Sequence, residues 1–238
     1  MAIALALLAS LLISGTTIIM KKGIERTNPT SAMLVVTLSG TLVLLAISLP
    51  LVQLTHLKSK AFLLFILAGV LSPALVRWLY FISLDRIGPS MSSSIVSTGP
   101  AFTAIIAAVF LNEKLTVSVS LGILLIIGGI ITFERDIGAS GKFAVGHKKD
   151  LIFALLSAIL VGLAIVIRKM GLNIQDEPLF GVTVGFTTSL VFYAMLCLVF
   201  KSMRAEISLN LKNTLYLSGA GVFLTAGWLT LFLSLIHI

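Results

Sequence analysis

Apolar residues along the chain fall into eight long runs, and short connectors carrying most of the charged residues separate them. The runs lie near residues 2–20, 31–54, 61–83, 89–111, 115–133, 150–168, 179–200 and 213–236. A helix that crosses the apolar core of a bilayer needs about 20 predominantly apolar residues, and each run approaches that length. The pattern therefore predicts an all-α fold, a polytopic membrane helix bundle of about eight helices.

The composition also indicates a membrane location. Of the 238 residues, 58% are hydrophobic and 11% are charged, and the mean hydropathy is +1.14. A soluble domain carries about 25% charged residues, so a water-soluble fold of this length could not cover its surface with so few charges. We expect the excess apolar surface to contact the lipid bilayer.

The net charge of +8 does not indicate nucleic-acid binding. The Lys and Arg residues lie beside apolar runs, where they meet lipid headgroups, and no basic stripe is interleaved with exposed aromatic residues. The histidines His56, His147 and His237 are far apart, and the single cysteine, Cys197, lies inside an apolar run. The sequence therefore predicts no nucleic-acid partner, no metal site and no cofactor.

An internal repeat relates the first half of the chain to its second half. Two Lys-x-Gly motifs align at one offset, and a Gly-Val pair follows after small gaps: Lys21 with Lys169, Gly23 with Gly171, and Gly69 with Gly221. Since the first half holds five runs, its second copy must insert in the opposite orientation. The sequence thus predicts an inverted repeat, with a five-helix unit at 1–136, a connecting loop at 137–149 and an incomplete second unit of about three helices at 150–238.

Several motifs in the first half occur in a specific order. The segment RWLYFISLDRIG at 77–88 leads into STGP at 97–100 and FLNEKL at 110–115, and Gly122 and the Gly128-Gly129 pair follow. This order resembles the EamA-type repeat of the drug/metabolite transporter superfamily. The resemblance covers one whole repeat and about three helices of a second. It implies a transporter with ten helices in two repeats, so we expect the chain to be truncated at its C-terminus.

Arg77 is the first candidate for a substrate-binding residue because it lies well inside the third run. A charge near the bilayer centre costs about 2.5–3.5 kcal/mol and usually faces the bundle interior. We therefore expect Arg77 to bind an anionic or zwitterionic small-molecule substrate in a cavity, with Tyr80 one turn further on. The alternative is that Arg77 snorkels to the interface or bonds to a carbonyl freed by Pro73.

The fourth run has small residues along one helical face: Ser90, Ser94, Ser97, Ala101, Ala104 and Ala108. Pro100 frees a backbone carbonyl midway along this run. We expect Ser94, Thr98 and the backbone at Pro100 to line a substrate cavity. The alternative is close helix packing, which small residues permit.

Polar and aromatic candidates also occur in the first and last runs. Ser14 and Lys21 belong to a polar stripe on the first helix, and the resemblance supports Lys21 because family members often carry a lysine at this helix end. Trp228 lies in the region of the second half that matches Arg77. The alternatives are a hydroxyl that bonds to its own helix and an aromatic anchor at the membrane interface.

The expected function is transport, specifically export of small metabolites or amphipathic organic compounds by alternating access. A partial, non-functional fragment of such a transporter is the alternative. An intramembrane enzyme would need a metal site, a nucleophile with a base or paired aspartates. The interiors of the runs contain no Asp or Glu, so no enzymatic activity is expected. A homodimer is compatible with the sequence but is not specified by it.

The orientation in the membrane is left open by two opposing arguments. The positive-inside rule favours an N-terminus outside the cell, because more Lys and Arg lie in the connectors that follow the odd-numbered runs. This count places Arg168 and Lys169 in a connector after the sixth run. The resemblance implies a cytoplasmic N-terminus, which is the orientation we expect.

Overall fold

A computed structural model describes residues 2–24, 29–51, 59–87, 89–111, 114–139, 148–201, 207 and 210–236. The described residues are overwhelmingly helical and include no strand, which confirms the predicted all-α fold. The helices are α1 (Ala2–Ile24), α2 (Pro29–Ser48), α3 (Lys60–Gly69), α4 (Val76–Ile87), α5 (Pro89–Val96), α6 (Gly99–Phe110), α7 (Val117–Ala139), α8 (Leu151–Ile174), α9 (Pro178–Val199) and α10 (Leu211–Ile236). The predicted connecting loop at 137–149 lies largely outside the described residues.

Six of the described stretches are long and apolar enough to cross a membrane, by length and composition. They are Thr30–Ser48, Lys60–Tyr80, Met91–Phe110, Leu151–Ile174, Pro178–Val199 and Leu211–Ile236. The helices α1 and α7 contain the shorter apolar stretches Ala2–Thr16 and Val117–Gly129. All eight predicted runs are thus helical, and the bundle is a multi-pass membrane architecture.

The third run is interrupted rather than continuous. A kink within Val70–Leu75 joins α3 to α4, and at this kink Ser72 adopts an extended backbone with φ −146° and ψ 125°. Pro73 has no backbone N–H, so it cannot continue the helical hydrogen-bond ladder at this point. The residues from Ser72 to Ala74 are buried.

The sixth run extends further than its apolar pattern predicts. The expected end was residue 168, but α8 continues to Ile174. The placement of Arg168 and Lys169 in a connector was therefore wrong, since both lie inside the helix. Arg168, Lys169, Met170 and Leu172 are all strong helix formers, and the helix continues past the cations and through Gly171 to Ile174.

The helices pack into two compact units, one formed by Met1–Val70 with Arg168–Ile238 and the other by Leu71–Ile167. In the first unit, α10 packs against α1 and α2, and α9 packs against α2 and α3. In the second unit, α4 packs against α5, and α7 packs against α5 and α6. These units are defined by packing, so the division into repeats at 1–136 and 150–238 stays a prediction.

Glycines allow close helix contacts in the first unit. A Cβ atom at Gly69 of α3 would lie 2.7 Å from the carbonyl oxygen of Gly185 on α9, and the Ser189 hydroxyl donates a 2.8 Å hydrogen bond to the Gly69 carbonyl. A Cβ atom at Gly221 of α10 would lie 2.6 Å from the Val36 carbonyl oxygen on α2. Without a hydrophobic driving force in lipid, such close backbone contact is a main source of helix association.

Candidate functional site

Arg77 and Tyr80 lie on α4 in the second unit, directly after the interrupted part of the third run. Both side chains are half-buried. Arg77 is one residue into α4, so it follows the non-helical backbone at Ser72 by about one and a half helical turns. This placement fits both the predicted cavity cation and the alternative in which freed carbonyls bind the guanidinium.

The serine face of the fourth run is divided between two helices of the second unit. Ser94 is buried on α5, Thr98 is half-buried between α5 and α6, and Pro100 is exposed at the start of α6. The Ser97 and Thr98 hydroxyls donate to the carbonyls of Ser93 and Ile95, at 2.8 and 2.6 Å. The side chain of Ser90 lies outside the described residues. Substrate contact at Ser94, Thr98 and Pro100 stays a prediction.

The alanine end of the same run packs against α8. A Cβ atom at Gly162 would lie 2.8 Å from the backbone nitrogen of Thr103, and one at Gly99 would lie 3.5 Å from the Val161 side chain. Ala101 is buried. This part of the run therefore follows the packing alternative, with small residues on both helices.

Ser14 and Lys21 belong to α1 in the first unit. Ser14 is exposed, and the neighbouring Ser10 hydroxyl donates to the carbonyl of Ala6 at 2.9 Å, as the alternative for this stripe predicts. Lys21 lies in the last turns of α1, but its side chain is outside the described residues. A role for either residue in substrate binding stays a prediction.

Trp228 is the predicted site residue with the most informative surroundings. The guanidinium carbon of Arg168 lies 4.2 Å from the centroid of the Trp228 ring and 5.8 Å from that of Phe232. Arg168 is 4% exposed. Stacking of a guanidinium on an indole face is an attractive cation–π contact, and it is strengthened when the pair is shielded from water. The structure thus places a cation inside the first unit.

Two polar groups on the same helix as Trp228 are buried. The Trp228 indole nitrogen and the Thr225 hydroxyl have no hydrogen-bond partner within the described part of the chain, and Thr225 is 4% exposed. Leaving a buried donor unsatisfied costs about 1–3 kcal/mol. Because Thr225 and Trp228 are three residues apart on α10, they lie on the same face of the helix.

Aromatic side chains border the cluster toward α3 and α9. The Phe65 ring centroid lies 6.3 Å from that of Phe232 and 6.0 Å from that of Phe180. A Cβ atom at Gly171, three residues after Arg168, would lie 2.6 Å from the Phe65 ring. The guanidinium is therefore held beside an apolar aromatic wall.

Arg168 is the residue that the sequence pattern missed, because its position at the edge of an apolar run resembled a connector charge. One signal could have identified it. The repeat aligns Lys169 and Gly171 with Lys21 and Gly23, so a common helix end after the glycine was implied. In α8 the helix does end there, at Ile174, and α1 is described as helix up to Ile24.

The second unit contains an ion pair near one end of α8. A guanidinium nitrogen of Arg86 lies 2.7 Å from a carboxylate oxygen of Asp150, and the same guanidinium lies 4.9 Å from the centroid of the Phe153 ring. These contacts connect the last turn of α4 to the start of α8. Throughout the described ranges, no group of three or more His, Cys, Asp or Glu could hold a metal ion.

Comparison with known proteins gives one family. The model of the EamA-like transporter family matches residues 1–134, which is more than half of the chain. A search of curated proteins gives no match.

Proposed function

Because the chain belongs to the EamA-like transporter family and is a multi-pass membrane protein, we propose that it exports small organic solutes by alternating access. The substrates are metabolites or amphipathic compounds that carry an anionic or zwitterionic group. The interruption of the third run beside Arg77 is the observation that carries this proposal.

Non-helical backbone within a membrane segment is tolerated where it is buried in protein or lines a water-filled cavity. Transporters use such discontinuous helices to form binding sites near the middle of the bilayer. Ser72 has an extended backbone within the stretch Lys60–Tyr80. The break therefore supports a solute site at this depth, and Arg77 supplies a cation at the start of the following helix.

Alternating access requires two halves that can rearrange, and an inverted repeat supplies them. The direction of α3 follows from two contacts with α9. Cβ atoms at Gly181 and Gly69 would lie 2.9 Å from the Phe65 ring and 2.7 Å from the Gly185 carbonyl oxygen, respectively. From Phe65 to Gly69 along α3, the contacted position on α9 moves from Gly181 to Gly185, so the two helices run in the same direction.

The direction of α10 follows from its contacts with the same helix. A Cβ atom at Gly181 would lie 2.8 Å from the Phe232 ring, and one at Gly40 would lie 2.9 Å from Phe186 and 2.6 Å from the Thr225 hydroxyl oxygen. Gly181 of α9 is thus close to Phe232 of α10, and Phe186 of α9 is close to Thr225. Because residue numbers rise along α9 while they fall along α10, α10 runs opposite to α9 and α3. Since α3 and α10 hold Gly69 and Gly221, which align in the repeat, their opposite directions support an inverted repeat.

Transport in proteoliposomes tests the proposal. The panel contains radiolabelled succinate as an anion, leucine as a zwitterion and uridine as a neutral solute. The Arg77→Gln variant should lower transport of succinate and leucine more than that of uridine, and Arg77→Lys should recover only part because it lacks the planar guanidinium. Arg86→Gln, on the same helix but half-exposed, is the control.

Two results would count against the proposal. No protein-dependent transport of any solute in the panel would contradict the transport function. Equal losses across the panel for Arg77→Gln would assign Arg77 to folding, as the carbonyl-bonded alternative predicts. Export is tested in preloaded prokaryotic cells, whose inner membrane is the proposed location, by measuring protein-dependent efflux.

A further inference from the structure

We propose that Arg168, Trp228 and Thr225 form a binding site for the carboxylate of an amphipathic monocarboxylate. The site lies in the first unit, on α8 and α10, and the sequence pattern assigned no role to Arg168. This inference rests on the proposed function only in taking the ligand to be a transported solute. It names the chemical class of a ligand for a second site, separate from Arg77.

The position of Arg168 on α8 is costly unless it has a function. The residue lies six positions before the helix end at Ile174, which corresponds to about 9 Å at about 1.5 Å per residue. A snorkelling side chain at this depth would extend to the headgroups and remain accessible. Arg168 is instead 4% exposed, so its charge is kept inside the bundle.

The stacking geometry is compatible with carboxylate binding. The N–H donors of a guanidinium lie in its plane, and its flat faces carry no donor. The guanidinium carbon of Arg168 lies over the Trp228 ring, 4.2 Å from the ring centroid. A carboxylate binds guanidinium N–H donors through two parallel hydrogen bonds.

Two neutral donors on the same face of α10, one of them in the ring that contacts Arg168, favour an acceptor as ligand. The indole N–H of Trp228 can only donate, and the Thr225 hydroxyl can donate as well as accept. Both are buried without a hydrogen-bond partner among the residues described, and buried polar groups without partners are rare in native structures. A carboxylate has about four acceptor positions, enough for the guanidinium, the indole and the hydroxyl together.

Charge matching favours a monoanion over a phosphate dianion. Arg168 is the cation that stacks on Trp228, and its neighbour Lys169 projects about 100° away around the helix, given about 3.6 residues per turn. A second negative charge would remain uncompensated in a medium of low dielectric constant. The nearby rings of Phe65 and Phe232 suit an apolar body on the ligand.

The protein offers a direct reporter for this site. It has two tryptophans, so Trp78→Phe leaves Trp228 as the only indole. The purified full chain in phosphatidylcholine nanodiscs is titrated with acetate, butyrate and hexanoate, with hexanamide as the neutral match and with inorganic phosphate. We expect hexanoate to shift the Trp228 emission saturably, and hexanamide and phosphate to leave it unchanged at equal ionic strength.

Three substitutions in this background identify the donors. Arg168→Gln should weaken hexanoate binding about 10- to 150-fold, the range for loss of a hydrogen bond to a charged group, and Arg168→Lys should weaken it less. Thr225→Val should weaken it about 2- to 10-fold, the range for a neutral hydrogen bond. Thr183→Val is the matched control, because the buried Thr183 hydroxyl already donates to the Leu179 carbonyl at 2.7 Å.

Several outcomes would overturn the inference. These are no saturable shift with any carboxylate, an equal shift with hexanamide or phosphate, or unchanged affinity in both Arg168→Gln and Thr225→Val. Loss of the response in phosphatidylserine nanodiscs would assign the site to lipid carboxylates instead. Should Arg168→Gln fail to fold by circular dichroism, the comparison of Thr225→Val with Thr183→Val still decides. Binding is measured without transport, so uridine transport without a carboxylate response refutes this inference alone.

Discussion

A pair of glycines on one helix allows the packing term of the fold to be measured by itself. On α10, a Cβ atom at Gly221 would lie 2.6 Å from the Val36 carbonyl oxygen and 3.2 Å from the Gly40 nitrogen. A Cβ atom at Gly219, two residues earlier, would have nothing within 4 Å. Gly221→Ala and Gly219→Ala therefore add the same methyl group, in the first case against the α2 backbone and in the second in open space.

The expected magnitude follows from separating two contributions. Gly→Ala favours a helix by about 0.8–1 kcal/mol, and this contribution is the same for both variants. Overpacking against a backbone that cannot give way costs about 1–3 kcal/mol. Gly221→Ala should therefore be less stable than Gly219→Ala by about 1–3 kcal/mol, the difference being due to packing.

The assay is reversible unfolding in mixed micelles of dodecyl maltoside and sodium dodecyl sulfate, followed by circular dichroism. The free energy of unfolding of each variant is compared with that of the unchanged chain. Since α10 contacts α2 through Gly221, we expect the lower free energy of unfolding of Gly221→Ala to be accompanied by faster proteolysis in the segments that connect these helices. Equal free energies for the two variants would refute the close approach of α2 and α10.

Two further predictions concern contacts within one unit each. Phe65→Ala should lower the free energy of unfolding by about 3–5 kcal/mol, because Phe65 is 1% exposed. Phe110→Ala should lower it far less, because Phe110 is 61% exposed. Similar decreases for both variants in the same unfolding assay would contradict the core position of Phe65. Arg86→Gln and Asp150→Asn should show a coupling of about 0.2–1 kcal/mol in a double-mutant cycle, since the Arg86 side chain is 50% exposed, and a coupling that does not decrease at high salt would argue against an ion pair.

Local pattern was sufficient for the helices but not for their interior chemistry. Each apolar run became helix because a spanning segment must satisfy its own backbone hydrogen bonds. The interruption of the third run was also foreseeable, since Pro73 lacks the required N–H. The serine face at Ser97 and Thr98 was foreseeable only in part, because hydroxyls can bond either to a solute or to their own helix.

The Arg168 site could not be derived from local pattern. Its stabilising partner, Trp228, lies on α10 and is separated from it by the whole of α9. Apolarity marks where a helix can contact lipid, but it does not mark where a helix ends. The sequence pattern therefore predicts that a cation near the end of an apolar run lies in a connector, whereas a tertiary contact can hold it within the helix bundle.

The helical position of several cations bears on the orientation of the chain. Lys21 and Lys22 lie in α1, as Arg168 and Lys169 lie in α8, so neither pair belongs to a connector. Removing every Lys and Arg that lies within α1 to α10 leaves the imbalance in place: Lys58 and Lys114 on one side, and Arg26, Lys142, Lys148, Lys149, Lys201 and Arg204 on the other. The positive-inside rule still favours an outside N-terminus, against the orientation expected from the family.

Cysteine labelling separates these two arguments. In a Cys197→Ala background, Ser59→Cys places a thiol at the N-cap of α3, where the serine oxygen accepts a 3.2 Å hydrogen bond from Ala61 N–H. Losing this cap costs about 0.5–2 kcal/mol, which a folded bundle tolerates. With a cytoplasmic N-terminus, an impermeant maleimide should label the exposed position Lys201→Cys in intact cells and not Ser59→Cys. The reverse pattern would show that the connector charges, and not the family orientation, determine how this chain inserts.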